Sequence, residues 1–249
     1  MTGRGVILVT GAARRVGAGL VRSLAADGWS VALHHRGHAD EAEALAADLR
    51  EVGADVRTFA ADFSVDAERD ALIPAVVEAF GRIDALVNNA SLFSYDTLET
   101  LEPENWRAHL EANYTAPVFL ARDLARAGGE VVVNILDQKV IAPNPDYFSY
   151  TAGKVGLAGL TQTLALALAP RVRVMGIAPG LLLPSGSQTQ AQFEAAWVDT
   201  PLGHGATVDD IARTLRYVLD TPALTGQILA VDGGEFLNRR PRDVAFDSD

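Results

Sequence analysis

The chain contains no cysteine. That excludes a disulfide framework, thiolate metal sites and thiol redox chemistry, and it fits a reducing compartment. Long apolar runs are missing as well. A membrane-spanning helix needs about 18 consecutive apolar residues, and the longest candidate, Val155 to Ala169, is interrupted by Gly, Thr and Gln. No secretory pattern opens the sequence, because Val6 to Val9 is a short apolar run that meets Thr10-Gly11. Positive charge is scarce, with 21 Lys and Arg against 32 Asp and Glu and a net charge of -11. That balance argues against nucleic acid as a partner. The expectation is a cytoplasmic protein acting on small molecules, away from membranes. An anionic cofactor remains compatible where arginines gather around its phosphates. What is present is apolar: 49% of 249 residues are hydrophobic, enough for a large core.

Short apolar runs alternate with amphipathic ones. Val6–Val9, Trp29–His35, Val56–Ala60, Ile83–Val87, Val131–Leu136, Val172–Ile177 and Gln227–Val231 read as strands. Between them lie helical patterns through Leu20 and Leu24, over 40–52, 66–80, 102–127, from Tyr150 to Leu168, and over 207–219. Pro74 is expected to kink or split its helix, and Pro117 to bend the long one. The order predicts one α/β domain over residues 1–249: a Rossmann-type, doubly wound parallel sheet of about seven strands with helices on both faces. Residues 181–205 form the longest irregular stretch, with Phe193 and Trp197 in a short helix, and read as a substrate loop. The charged tail, 238–249, is expected to be loose unless a neighbouring subunit holds it.

Chemistry gathers at the strand ends. Gly11 and Gly17 flank a strand-to-helix turn, where glycines admit a phosphate and the helix N-terminus supplies free N–H groups. The spacing is G-x-x-x-R-x-G, with Arg15 inside it. An acidic residue ending the second strand would bind a ribose 2′-hydroxyl and select NAD; His34, His35 and Arg36 stand there instead, which favours NADP with Arg36 on the 2′-phosphate. The histidines lack a third ligand at a recognisable spacing, so no metal is expected. Gly11, Arg36, Asp62 and Asn89 all fall at one edge of the sheet. Tyr150 and Lys154 share a helix face, and a nearby ammonium should lower the phenol's pKa toward the working range. Asp137 ends the fifth strand, thirteen residues before Tyr150.

Thr10-Gly11 with Gly17, Asn88-Asn89-Ala90, Asn113, Tyr150-x-x-x-Lys154 and Pro179-Gly180 together resemble the short-chain dehydrogenases/reductases, over residues 5 to about 237. The resemblance implies Tyr150 as proton donor, Lys154 as its modulator and ribose ligand, and Asn113 as the holder of a water relay. It implies a cofactor set of Gly11, Arg14, Arg15, Val16, Gly17, His35, Arg36, Asp62, Phe63, Asn89, Ala90, Ser91, Tyr150, Lys154, Pro179 and Gly180. Two departures narrow the match: Asp137 stands where the family's catalytic Ser usually lies, and Arg15 replaces a glycine. With Ser91, Phe93 and the Pro179-Gly180-Leu181 loop, they are similar to pteridine reductases. That implies Asp137 and Tyr150 in proton delivery, Phe93 stacked on a pterin, and Arg15, Ser91, Leu181 and Trp197 at the substrate. Delivery to a basic ring nitrogen suits a carboxylic acid whose pKa burial has raised. The family often forms tetramers through its two long helices, so a homotetramer is implied. Two other readings stay open: a reductase of another carbonyl or imine, and a non-catalytic NADP sensor.

Overall fold

The computed structural model describes residues 4–184 and 188–246. Its seven strands are β1 (Val6–Val9), β2 (Ser30–His35), β3 (Val56–Ala60), β4 (Ala85–Asn88), β5 (Val131–Ile135), β6 (Arg173–Pro179) and β7 (Ile228–Val231). They form one sheet in the order β3-β2-β1-β4-β5-β6-β7, every pair parallel. The expected doubly wound architecture is the observed one.

Alternate residues of each strand enter two separate cores. Ile7, Val9, Val31, Leu33, Val133 and Ile177 pack under α1 (Arg15–Ala26), α2 (Ala39–Glu51) and α8 (Val208–Asp220). Val6, Leu8, Ala32, Leu86, Val132 and Val174 pack under α3 (Asp66–Phe80), α5 (Ala116–Arg126) and α6 (Phe148–Leu168). Burial on both faces explains why these strands read as continuous apolar runs. Each buried Leu, Ile or Val contributes roughly 1.5–3 kcal/mol. The connections lead from β1 outward to β3, then back across to β4. A crevice therefore opens where β1 and β4 diverge, at their carboxyl ends.

Three elements differ from expectation. The helix expected over 102–127 is α4 (Pro103–Leu110), a π-helical turn (Glu111–Thr115) and then α5, continuous through all three. The wider turn sits just before Pro117, where it relieves the clash of the pyrrolidine ring with the preceding turn. Pro74 neither splits nor ends α3; it faces solvent, where a carbonyl that loses its partner is hydrated. The described part of the tail, 238–246, is docked: after a 3₁₀ turn at Glu235–Leu237 and before one at Val244–Phe246, Arg242 and Asp243 pair with Asp146 and Lys139. In the irregular stretch the short helix is α7 (Gln190–Val198), begun by a Thr189 capping box. Residues 185–187 of that stretch lie outside the described residues.

The π turn packs closely on α6. A Cβ on Gly153 would stand 2.9 Å from the Cβ of Asn113, whereas one on Gly159 would meet nothing within 4 Å. Gly153→Ala should therefore destabilise by roughly 1–3 kcal/mol, and Gly159→Ala should stabilise by up to about 1 kcal/mol through helix propensity. Chemical-denaturation midpoints of the two variants test this opposition of sign.

Candidate active site

The glycine turn after β1 is tied down from three sides. The Thr10 hydroxyl donates to the Val87 carbonyl at 3.3 Å and accepts from the N–H groups of Asn89 and Ala90 at 3.0 and 2.9 Å. The Asn89 amide returns two bonds, to the Thr10 and Gly11 carbonyls. His34, on β2, accepts from the Gly11 N–H at Nδ1 (3.0 Å), so Nε2 carries the proton and donates to the Ala61 carbonyl (3.0 Å). Burial pushes His34 down to about 4, which keeps it neutral. Gly11 is left-handed at φ 60°, and a Cβ there would lie 2.7 Å from the Ala90 Cα. Arg15 also adopts a left-handed φ, 53°, and its guanidinium donates to the Pro184 carbonyl at 2.9 Å. For a non-glycine residue that conformation costs about 1–2 kcal/mol, so the turn holds it.

Beyond the turn, β2 ends in a cationic corner. Arg14 and Arg36 are exposed beside His35 and His38. Nδ1 of His35 is buried without a hydrogen-bond partner among the described residues. Asp62 keeps one carboxylate oxygen on the N–H and hydroxyl of Ser64, which hold its pKa low.

On the other side of the crevice, α6 delivers Tyr150 and Lys154. The Tyr150 hydroxyl donates to Asp137 at 2.7 Å, and the other oxygen of Asp137 accepts the Lys139 N–H at 2.8 Å. Burial raises the Asp137 carboxyl, against the pull of these hydrogen bonds and of Lys139 and Lys154. The expected lowering of Tyr150 by Lys154 is not what the geometry produces. Burial and the adjacent Asp137 push the phenol well above its ordinary value. The Lys154 ammonium lies 5.8 Å from the phenol ring centroid and donates to the Ile135 carbonyl at 2.7 Å. Burial lowers it to about 8, opposed by Asp137. That carbonyl is its hydrogen-bond partner among the described residues, which leaves N–H capacity facing the cleft. Asn113 is fully buried, and its side chain is committed elsewhere: it accepts from the Ser91 hydroxyl and the Leu92 N–H and donates to the Leu92 carbonyl. It positions the 91–92 loop rather than presenting itself to the cleft.

The substrate end is aromatic. Phe93 stacks on Tyr147 at 4.2 Å and meets Tyr150 edge-on at 4.7 Å. Tyr147, just before α6, is left-handed at φ 55° and is buried. Asp96 anchors that helix start by accepting the Ser149 N–H at 3.0 Å and the Ser149 hydroxyl. Glu235 accepts the Leu181 N–H at 3.0 Å, fixing the start of the substrate loop, and burial pushes its carboxyl up to about 7. Trp197 does not reach the site: its indole N–H donates to the Ala206 carbonyl and its ring covers Gly205.

These elements enclose one cleft of about 950 Å³. Of the side chains expected at the site, all except Asn113 and Trp197 line it. Lining it too are His34, Lys139, Glu235 and Asp243, which the sequence reading passed over as site residues. His34 stood at the end of the second strand and Lys139 two residues beyond Asp137, while Glu235 follows the Asp232-Gly233-Gly234 turn at the end of β7.

A glycine cradle at the β1–β4 crevice, with a Tyr and a Lys one helical turn apart opposite it, defines a dinucleotide oxidoreductase site. The short chain dehydrogenase family model matches residues 5–195, and the chain belongs to that family. Among its relatives, a 3-oxoacyl-[acyl-carrier-protein] reductase of Synechocystis sp. is 32% identical, covering 92% of this chain and 96% of its own. Among solved structures, the FolM alternative dihydrofolate reductase 1 of Brucella canis, complexed with NADP, is 40% identical with a TM-score of 0.91, covering 95% of this chain and 96% of its own. The Brucella suis protein of the same name, also with NADP, matches equally at 40% and 0.91.

The buried carboxyl gives a signed pH expectation. Its raised pKa keeps Asp137 protonated above the ordinary carboxylate range, and the proton is lost as pH rises through the raised value. The kcat for reduction should therefore fall on the alkaline side. Asp137→Asn should remove that limb and lower kcat by roughly 10²–10⁴-fold, with cofactor Kd within about threefold. A pH–kcat profile of both proteins measures it.

Proposed function

We propose that this protein is a cytoplasmic, NADPH-dependent reductase of a dihydropteridine-type C=N bond. The observation that carries this reading is the 2.7 Å hydrogen bond between Tyr150 and Asp137, both of which line the cleft. Reduction of C=N adds a hydride to carbon and a proton to nitrogen. NADPH supplies the hydride. Tyr150 gives its proton to the ring nitrogen and takes one from Asp137, so the phenol never carries charge beside a carboxylate. Lys154 holds the ribose hydroxyls with the N–H groups that Ile135 leaves over. Arg36 and Arg14 receive the 2′-phosphate; β2 ends without an acidic residue, and the Glu41 carboxylate near Arg14, 3.8 Å from its guanidinium, is already paired. Phe93 offers a ring for stacking on a flat heterocycle, worth about 0.5–1.5 kcal/mol beyond burial. The similarity to two dihydrofolate reductases named FolM supports the substrate class, and their NADP supports the cofactor.

The second reading is a β-keto thioester reductase, as the Synechocystis relative is named. A ketone oxygen is less basic than a ring nitrogen, and its reduction is served by a neutral hydroxyl donor; the carboxyl at position 137 favours the pterin. A homotetramer is the proposed assembly. The outer face of α6 exposes Val155 (44%) and Leu166 (82%), two apolar side chains available to a second copy.

NADPH oxidation with dihydrobiopterin should exceed that with a simple β-keto ester by at least tenfold in kcat/KM; the reverse order would replace the first reading with the second. Arg36→Ala should raise the KM for NADPH by about tenfold, some 1.4 kcal/mol, and leave NADH within about twofold; steady-state kinetics with both cofactors decides it.

A further inference from the structure

Lysine is used only twice. Nineteen of the 21 cationic residues are arginines, and the two lysines are Lys139 and Lys154. Both are buried, 3% exposed, and both line the same cleft. An ammonium is a compact charge with three donors, suited to a confined pocket where a guanidinium fork does not fit. Lys154 belongs to the machinery described above. Lys139 is two residues beyond Asp137, and its three donors meet three acceptors: the Asn144 side chain at 2.7 Å, the Asp146 carbonyl at 3.2 Å and the Asp243 carboxylate at 2.7 Å. The last comes from the tail. A buried cation stripped of its counter-charge is strongly unfavourable, so Lys139 holds the tail in place.

Other contacts do the same. Arg242 makes a two-pronged ion pair with Asp146 at 2.8 and 2.9 Å, and the Asp243 N–H donates to that carboxylate at 2.8 Å. Asp146 is 1% exposed. Phe246 packs 5.0 Å from the Tyr95 ring and 6.4 Å from the Tyr147 ring. Tyr147 in turn stacks on Phe93. The docked segment is thus continuous with the aromatic slot, and Asp243 and Val244 line the cleft beside Phe93, Asp137 and Tyr150.

We propose that residues 242–246 are the outer wall of the substrate end, and that Asp243 on this wall is a specificity-determining residue for planar, N–H-rich heterocycles. The inference rests on the pterin-reductase reading for the class of substrate. With Asp137 and Glu235, Asp243 makes a rim of carboxyl groups. Such a rim presents carboxyl oxygens that accept ring and exocyclic N–H donors. The aromatic floor limits the slot to a flat ring, and the tail closes its open side.

The test uses two full-length variants that loosen the wall without touching the reacting groups, Arg242→Ala and Phe246→Ala. Steady-state reduction of dihydrobiopterin and of ethyl acetoacetate is measured with NADPH, alongside the rate at which trypsin cuts after residue 242 in the wild type and in Phe246→Ala. A KM for dihydrobiopterin raised at least fivefold in both variants, with kcat and the KM for NADPH within twofold, is expected. An unchanged KM for both substrates overturns the inference. Wild-type turnover of ethyl acetoacetate but of no pterin overturns the pterin reading alone; the wall is then judged by the KM for the keto ester. Should neither be turned over, trypsin decides: cutting at least fivefold slower in the wild type supports the wall, and equal rates overturn it.

Discussion

A sheet covered by helices on both sides has no room inside it for an unpaired charge. The strands of this protein obey that constraint, with Ile7, Leu8, Leu86 and Ile177 fully buried at their centres. Polar groups within the layers are mostly tied to one another, although the Asn88 Oδ1 is buried with no hydrogen-bond partner among the described residues. Asn88 donates to Asn134, and Asn134 to Thr161, linking β4, β5 and α6. Everything else with chemistry is driven to the carboxyl rim, where the parallel strands end together. The glycine turn, the cationic corner, Asp137 and the Pro179-Gly180 segment share that rim because each lies immediately after a strand. The site is a by-product of the burial rule as much as of the individual residues.

At the rim, the decisive pair is two acids sharing a hydrogen bond. Proximity alone would suggest that Lys154 acidifies Tyr150, and the i, i+4 spacing encourages that view. Burial reverses it. The phenol's hydrogen-bond partner is the Asp137 carboxyl, the ammonium is turned to a backbone carbonyl, and the dry surroundings penalise every ionised form. A neutral phenol bonded to a proton-holding carboxyl is a donor, which is the role the proposed reduction of a C=N bond assigns to it. The same residues with Ser in place of Asp would leave the phenol with a weaker acid beside it, better suited to a carbonyl oxygen.

Architecture was legible in the sequence because periodicity reports burial directly. Alternation of apolar runs and amphipathic segments placed every strand within about two residues. The rim residues were legible where they follow strands: Gly11, Arg36, Asp62, Asn89 and Asp137 needed only that position. Contacts made across the chain were not. Nothing local marks Asn113 as the anchor of the 91–92 loop, Tyr147 as a left-handed residue beneath Phe93, or His34 as the acceptor for the glycine turn. Trp197 looked like a binding aromatic and is a packing one, since its indole finds Ala206 instead. The tail was misread because charge density suggests solvation. Two of its charges, Arg242 and Asp243, instead pair with Asp146 and Lys139, more than ninety residues earlier, and Arg240 pairs with Asp199.

One consequence follows from the histidine behind the glycine turn. His34 accepts from a backbone N–H, so adding a proton to its ring would set two donors face to face. Its free energy of protonation is therefore taken from folding: stability is full above the ordinary histidine range near 6.5, and is lost as pH falls from there toward about 4. Acidification should slacken the dinucleotide cradle, giving the molecule an acid-labile seam behind its glycine turn.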